Sequence, residues 1–225
     1  MTHLKTKDAK AEKDIPVFKG KDKRLAMQVA KSFISAFFTQ GHLTEADLSL
    51  TQEEFYKKVK DLTDNSELAV GIDHRSVIIE KADNLLLQKD YEYAKVLYAM
   101  FFEHSINHLI SHECQKRKFE EKVKIEMIKS VDIYGKLTWL PKLLGFPKFN
   151  DNHRLIIKKL SDDRNAFVHY KWKIDNDDDK TKTKQPNNEE EFKKIKLAVR
   201  YMKQYEANLL FQKNKSRLNK KLNRK

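Results

Sequence analysis

Along the chain, apolar side chains return at intervals of three and four residues rather than two, the period of helices with one buried face. Leu25, Val29, Phe33, Ile34, Phe37 and Phe38 mark a first stripe, which Gly41 stops. Thr51 and Glu54 have the spacing of a capping box and predict a short helix carrying Phe55, Val59 and Leu62. A polar stretch, 63–75, separates these two helices from a stronger run, Ser76 to about Lys89. Tyr91 to about Lys116 is apolar on most sides through Phe102, which predicts a buried central helix with Asp90 at its N-cap. Glu120 to Val131 is amphipathic, and Leu137 to Leu144 is a shorter apolar segment interrupted by Pro141. Asn152 to Trp172 places Leu155, Ile156, Leu160, Phe167 and Val168 toward one side. Beyond the polar segment Asp175 to Asn188, Glu189 to about Asn219 reads as one long final helix with Phe192, Ile195, Val199, Met202, Leu209 and Leu210 buried.

Together these elements predict an all-α fold, an antiparallel helical bundle over 76–211 with a flexible loop at about 175–188. A basic tail and helical extension occupy 1–75, a basic tail occupies 212–225, and both termini are expected to be flexible. Composition agrees, because 5 Gly and 4 Pro in 225 residues are too few for a hairpin-rich β fold. The glycines also stand ten or more apart, which excludes glycine-rich phosphate loops. The longest purely apolar run, Val96 to Phe102, is too short to cross a bilayer, and the polar N-terminal segment lacks a secretion signal. A cytoplasmic location without a membrane partner is the expectation. The single cysteine, Cys114, excludes internal disulfides and thiolate zinc ribbons.

A net charge of +13 suggests a polyanionic partner, but its distribution narrows that reading. Residues 1–24 hold 8 basic and 4 acidic side chains, and 212–225 hold 7 basic and none acidic, which leaves 25–211 at only +2. The C-terminal residues Lys213, Lys215, Arg217, Lys220 and Lys221 are therefore candidate RNA-backbone contacts. A solvated helix end is the plainer alternative. The body must act through particular residues instead.

The most specific of these lie in Ser161 to Tyr170, SDDRNAFVHY. Arg164 offers a rigid, permanently charged donor fork suited to phosphate. A histidine such as His169 titrates close to neutral pH and can move protons. On these residues the chain resembles the HEPN superfamily, helical-bundle proteins whose signature is Arg, a polar residue, a few mostly apolar residues, then His. Glu103 and Asn107 in AMFFEHSINHLI are similar to that family's acidic residue and amide one turn apart on an upstream helix. The likeness covers about Ser76 to Phe211.

The resemblance implies a ribonuclease that needs no metal or cofactor, usually a homodimer with two Arg/His motifs in one cleft. His169 would act as general acid and base, Arg164 would hold the scissile phosphate, and Asn165 would orient the phosphate or the histidine. Glu103 or Asn107 would hold Arg164. The resemblance also implies a toxin or anti-phage role, with an antitoxin or defence-system protein as partner. The alternative is a non-catalytic module that binds RNA or protein.

Residues five apart on a regular helix point about 140° away from each other. Arg164 and His169 therefore require either a backbone departure near Asp162 and Asp163 or convergence across a dimer. The plainer reading pairs Arg164 with Asp162 or Asp163 and satisfies His169 in the core. Glu103 and Asn107 would then simply fix bundle register. Tyr170 and Lys171, with Trp172, offer RNA contacts beside the motif or pack at a helix end. His104, His108 and His112 repeat every fourth residue and form the rival, metal-binding constellation, although no acidic pair is placed to complete it.

Overall fold

The computed structural model describes residues 20–65, 73–169 and 188–223. The N-terminal nineteen residues, the loop expected at 175–187, and Tyr170 and Lys171 lie outside the described residues. The elements in order are α1 (Gly20–Thr39), a 3-10 turn (Ala46–Ser49), α2 (Gln52–Asp64), α3 (Arg75–Leu87), α4 (Tyr91–Lys116) and α5 (Glu121–Ser130). There follow α6 (Ile133–Leu137), α7 (Trp139–Leu143), α8 (Asp151–Val168), α9 (Asn188–Leu210) and α10 (Lys215–Asn223). The fold is all-α, with no strand among the described residues, and no helix there is long and apolar enough to cross a membrane.

The bundle consists of α3, α4, α8 and α9. Its centre is α4, which packs against the other three because it is apolar nearly all round, with Tyr98, Phe101, Phe102, Ile106, Leu109 and Ile110 buried. Tyr98 meets Phe192 and His108 meets Glu206, so α4 and α9 run parallel. Lys196 pairs with Asp83 and Arg75 with Glu206, so α3 runs against α9. His153 stacks on Tyr201 while Lys159 pairs with Glu191, so α8 does the same. The arrangement is antiparallel, and the buried Tyr98 hydroxyl locks α4 to α3 by donating to Asp83 at 2.7 Å. Asp90 occupies the α4 N-cap position but its side chain makes no capping bond.

The segment between α4 and α8 folds as three short helices. Asp132 caps α6 by accepting the Gly135 N–H at 2.7 Å, and Thr138 breaks α6 from α7. Pro141 is buried in the first turn of α7, where a missing N–H costs no intrahelical bond.

A second, smaller core gathers Ile34, Phe37, Phe38, Leu43, Leu48 and Phe55 from the N-terminal helices with Leu218 and Leu222 from α10. The capping box forms as expected, the Glu54 N–H donating to Thr51 Oγ1 at 3.3 Å and the Thr51 N–H to Glu54 Oε2 at 2.9 Å. Only the C-terminal half of α1 reaches this core; Leu25 and Val29 of the expected stripe are exposed.

The end of the chain differs from expectation. The final helix stops at Leu210, and Gln212 and Lys213 take left-handed conformations with φ of 47° and 65°. That turn sends α10 back against the N-terminal helices. Residues 215–223 are therefore a docked helix rather than a flexible tail, because Leu218 and Leu222, one turn apart, bury against Phe55 and its neighbours. Lys221 is itself buried, its ammonium donating to the Leu50 carbonyl and lying 5.5 Å from the Phe55 ring centroid. Arg217 binds Glu45. These two cations of the presumed RNA-binding tail are used within the fold.

Candidate functional site

α8 begins at Asn150, whose side chain accepts from the N–H groups of Asn152 and His153. The helix then continues without interruption to Val168. The backbone departure near Asp162 and Asp163 is absent, so Arg164 and His169 diverge within one chain. Arg164 faces α4, where Nη2 stands 3.6 Å from Glu103 Oε2 and Nη1 donates to Asn165 Oδ1 at 3.0 Å. His169 is the exposed C-cap of α8, its backbone N–H donating to the Asn165 carbonyl at 3.0 Å.

Arg164, Asn165, Glu103 and Asn107 line one cleft of about 510 Å³ between α4, α8 and the α5–α6 segment. His169 is not among its walls. Asn107 Oδ1 is buried beside it without a hydrogen-bond partner among the described residues. The carboxylates proposed as plain partners for Arg164 are placed differently. Asp162 pairs with Lys158 at 2.5 Å, and burial pushes the Asp163 carboxyl above its usual range.

The cleft also contains a residue that sequence reasoning passed over. Lys136, on α6, is 4% exposed and donates from Nζ to the Ile128 carbonyl at 2.6 Å. Burial pushes its amine down, while Glu103 and Asp132 oppose that shift. Lys136 falls between the two segments assigned from the sequence, Glu120 to Val131 and Leu137 to Leu144, and nothing in the pattern singles it out. With Lys129 and Lys158, the cleft sets four cations against the carboxylates of Glu103, Asp132 and Asp162. Such a site can hold a phosphodiester between guanidinium and ammonium donors.

The histidine repeat is divided among other tasks. His104 is exposed, His108 Nδ1 lies 2.7 Å from Glu206 Oε1, and His112 Nε2 lies 2.9 Å from the Thr39 carbonyl oxygen. Glu206 is shared with Arg75 at 2.5 Å; burial favours its neutral form, but bonds from His108 and Arg75 win and hold its carboxyl below the usual range. Among the described residues no group of three or more His, Cys, Asp or Glu is placed to hold a metal ion.

Beside the motif, Phe167, Val168 and Tyr93 are exposed, and the Phe167 and Tyr93 rings meet edge to face at 5.2 Å. Of the C-terminal basic residues, Lys213, Lys215, Arg217 and Lys220 are exposed, with Arg217 paired to Glu45, and Lys221 is buried. Comparison with protein-family models, curated proteins and solved structures returns no match.

Proposed function

We propose that the chain is a metal-independent endoribonuclease of the HEPN type that acts as a homodimer, with Arg164 and His169 as its catalytic pair. The observation that carries this reading is the placement of Arg164 in a polar cleft beside Glu103, Asn107 and Asn165, five residues before an exposed histidine. Arg164 keeps free donors because its contact with Glu103 is long. The exposed Phe167, Val168 and Tyr93 form an apolar surface beside the motif through which a second copy can dock. Docking there supplies the histidine that a single α8 turns away from its own arginine.

In the reaction the RNA 2′-oxygen attacks the adjacent phosphorus as histidine takes its proton. The bond from phosphorus to O5′ breaks, and the leaving oxygen receives a proton from imidazolium. The products are a 2′,3′-cyclic phosphate and a 5′-hydroxyl, and DNA is inert. Arg164 stabilises the added charge on phosphorus, Asn165 orients the phosphate, and Glu103 and Asn107 position Arg164. A toxin or anti-phage role with an antitoxin or defence-system partner follows from the family resemblance.

A second reading, a non-catalytic RNA- or protein-binding module, is favoured by the divergence of Arg164 and His169 within one chain. Incubating the purified protein with RNA in EDTA separates the two. Cleavage lost in both Arg164→Ala and His169→Ala, with cyclic phosphate ends from the wild type, supports the nuclease. Binding without cleavage by the wild type supports the module.

A further inference from the structure

The C-terminal half of α9 and the returning α10 enclose a groove of about 1010 Å³. Five cations line it: Arg200 and Lys203 from α9, Lys213 from the turn, and Lys215 and Lys220 from α10. Among the described residues no carboxylate does. In a chain with 33 acidic residues this absence requires a local cause. Glu206, the one acid of this part of α9, points to the opposite side and is held by Arg75 and His108. Glu45, an acid facing α10, is taken by Arg217. None of the five groove cations has an ion pair among the described residues. The fold thus sorts the basic C-terminal segment in two: Arg217 pairs with Glu45 and Lys221 is buried against the second core, whereas Lys213, Lys215 and Lys220 make no ion pair among the described residues.

The uncharged walls narrow the ligand class. Gln204, Asn208, Asn219 and Asn223 also face the groove, and Gln204 Nε2 donates to Asn208 Oδ1 at 2.9 Å, which leaves the Asn208 amide N–H₂ to donate outward. Side-chain amides donate and accept, as does a 2′-hydroxyl. Ala207 is the only apolar residue in the lining. A membrane surface would require apolar side chains to insert, and an acidic protein segment would require an apolar anchor pocket. Among the described residues no aromatic side chain lines the groove, so contact is with the sugar–phosphate backbone rather than with base identity.

We infer that this groove is a sequence-independent binding site for the RNA sugar–phosphate backbone, distinct from the Arg164 cleft. It lies at the far end of the bundle, because Lys159, one turn before Arg164, pairs with Glu191 at the start of α9 whereas the groove begins at Arg200 and runs past Ala207. Glu191 to Ala207 spans about 24 Å along the helix. RNA held in the groove is therefore anchored away from the reaction centre. The inference needs RNA binding alone and stands whether or not the chain cleaves.

The test uses the full chain in the His169→Ala background, with a fluorescent oligouridine of about 20 nucleotides, longer than a typical single binding site. Affinity is measured over a salt series. Lys203→Gln with Lys220→Gln should weaken binding about tenfold or more and make the salt slope shallower by about 1.4, roughly 0.7 for each lost phosphate contact. Lys57→Gln with Lys60→Gln, an equal charge change on exposed α2 positions, should leave affinity within about twofold. Equal losses in the two pairs, or none in the groove pair, overturn the inference. So does a groove pair that loses binding to phosphatidylserine vesicles while keeping RNA, or a wild-type groove that holds oligodeoxyuridine as tightly as oligouridine. Cleavage by the His169→Ala protein would sink the catalytic assignment and leave this result standing.

Discussion

Arg164 Nη2 and Glu103 Oε2 stand 3.6 Å apart across the contact of α8 with α4, within ion-pair range but too long for a hydrogen bond. Their side chains are 35% and 40% exposed, so solvent screens the pair and its share of stability is about 0.2–1 kcal/mol. Arg164→Ala should therefore melt close to the wild type while lowering RNA cleavage about 10²- to 10³-fold. Arg164→Lys should fail to restore activity, because an ammonium lacks the planar fork. Glu103→Gln, which keeps shape but removes charge, should lower kcat by less than Arg164→Ala does and leave KM nearly unchanged. A fall of several degrees in melting temperature for Arg164→Ala would instead make the pair structural.

His112 ties the two cores together by its contact with the Thr39 carbonyl. Burial pushes its imidazole below the ordinary value of 6.5; the Thr39 bond and Glu113 oppose that shift, and His108 and Lys116 add to it. A histidine depressed in the folded state takes its proton more readily when unfolded, so its stabilising effect is complete above 6.5 and is lost as pH falls toward the lower folded value. Protection factors at the end of α1, corrected for intrinsic exchange, should fall between pH 7.5 and pH 5, and His112→Gln should flatten that dependence. An unchanged pH profile in the variant rules the switch out.

The parts of the fold that were legible are those with local chemical signals. Thr51 and Glu54 announce their helix start, and the all-round apolarity of Tyr91 to Phe102 announces a central helix. The break after Leu210 was hidden because Gln212 and Lys213, not glycine or proline, make the turn. The basic composition of α10 likewise masked the burial carried by Leu218 and Leu222. At the site, Glu103 lies 3.6 Å from Arg164, a pairing expected from the resemblance and from no spacing in the sequence. His169 is turned away because α8 is regular to its end, a consequence of five-residue spacing that sequence geometry already states. Lys136 was not legible, since its cleft depends on how α5 and α6 fold over α4.

Removal of the C-terminal segment should damage the N-terminal helices and not merely reduce charge. Leu218→Ala vacates space in the second core beside Phe55 and should cost about 2–5 kcal/mol of that core's stability. Truncation after Phe211 should expose Phe55 and Leu48, increasing both dye binding and proteolysis within 20–65 while α3, α4, α8 and α9 stay protected. Resistance of 20–65 to protease in the truncated chain would show that α10 is dispensable for the second core.

Gly135 tests how tightly the α6 wall of the Arg164 cleft is built. A Cβ at this position meets Val131 Cγ1 at 2.7 Å, Trp139 Nε1 at 2.8 Å and Asp132 Oδ1 at 3.1 Å. The exposed Trp139 can swing aside, but Val131 is β-branched and Asp132 is held by the Gly135 N–H bond. Gly135→Ala should therefore cost about 1–3 kcal/mol by thermal melting, despite the helix preference of alanine. Because the strained turn carries Lys136, the same substitution should also displace its ammonium from the cleft and reduce cleavage, while Lys136→Met should reduce cleavage with a smaller loss of stability. A Gly135→Ala protein as stable as the wild type would mean that α6 moves freely, and the cleft wall would then be too soft to position Lys136.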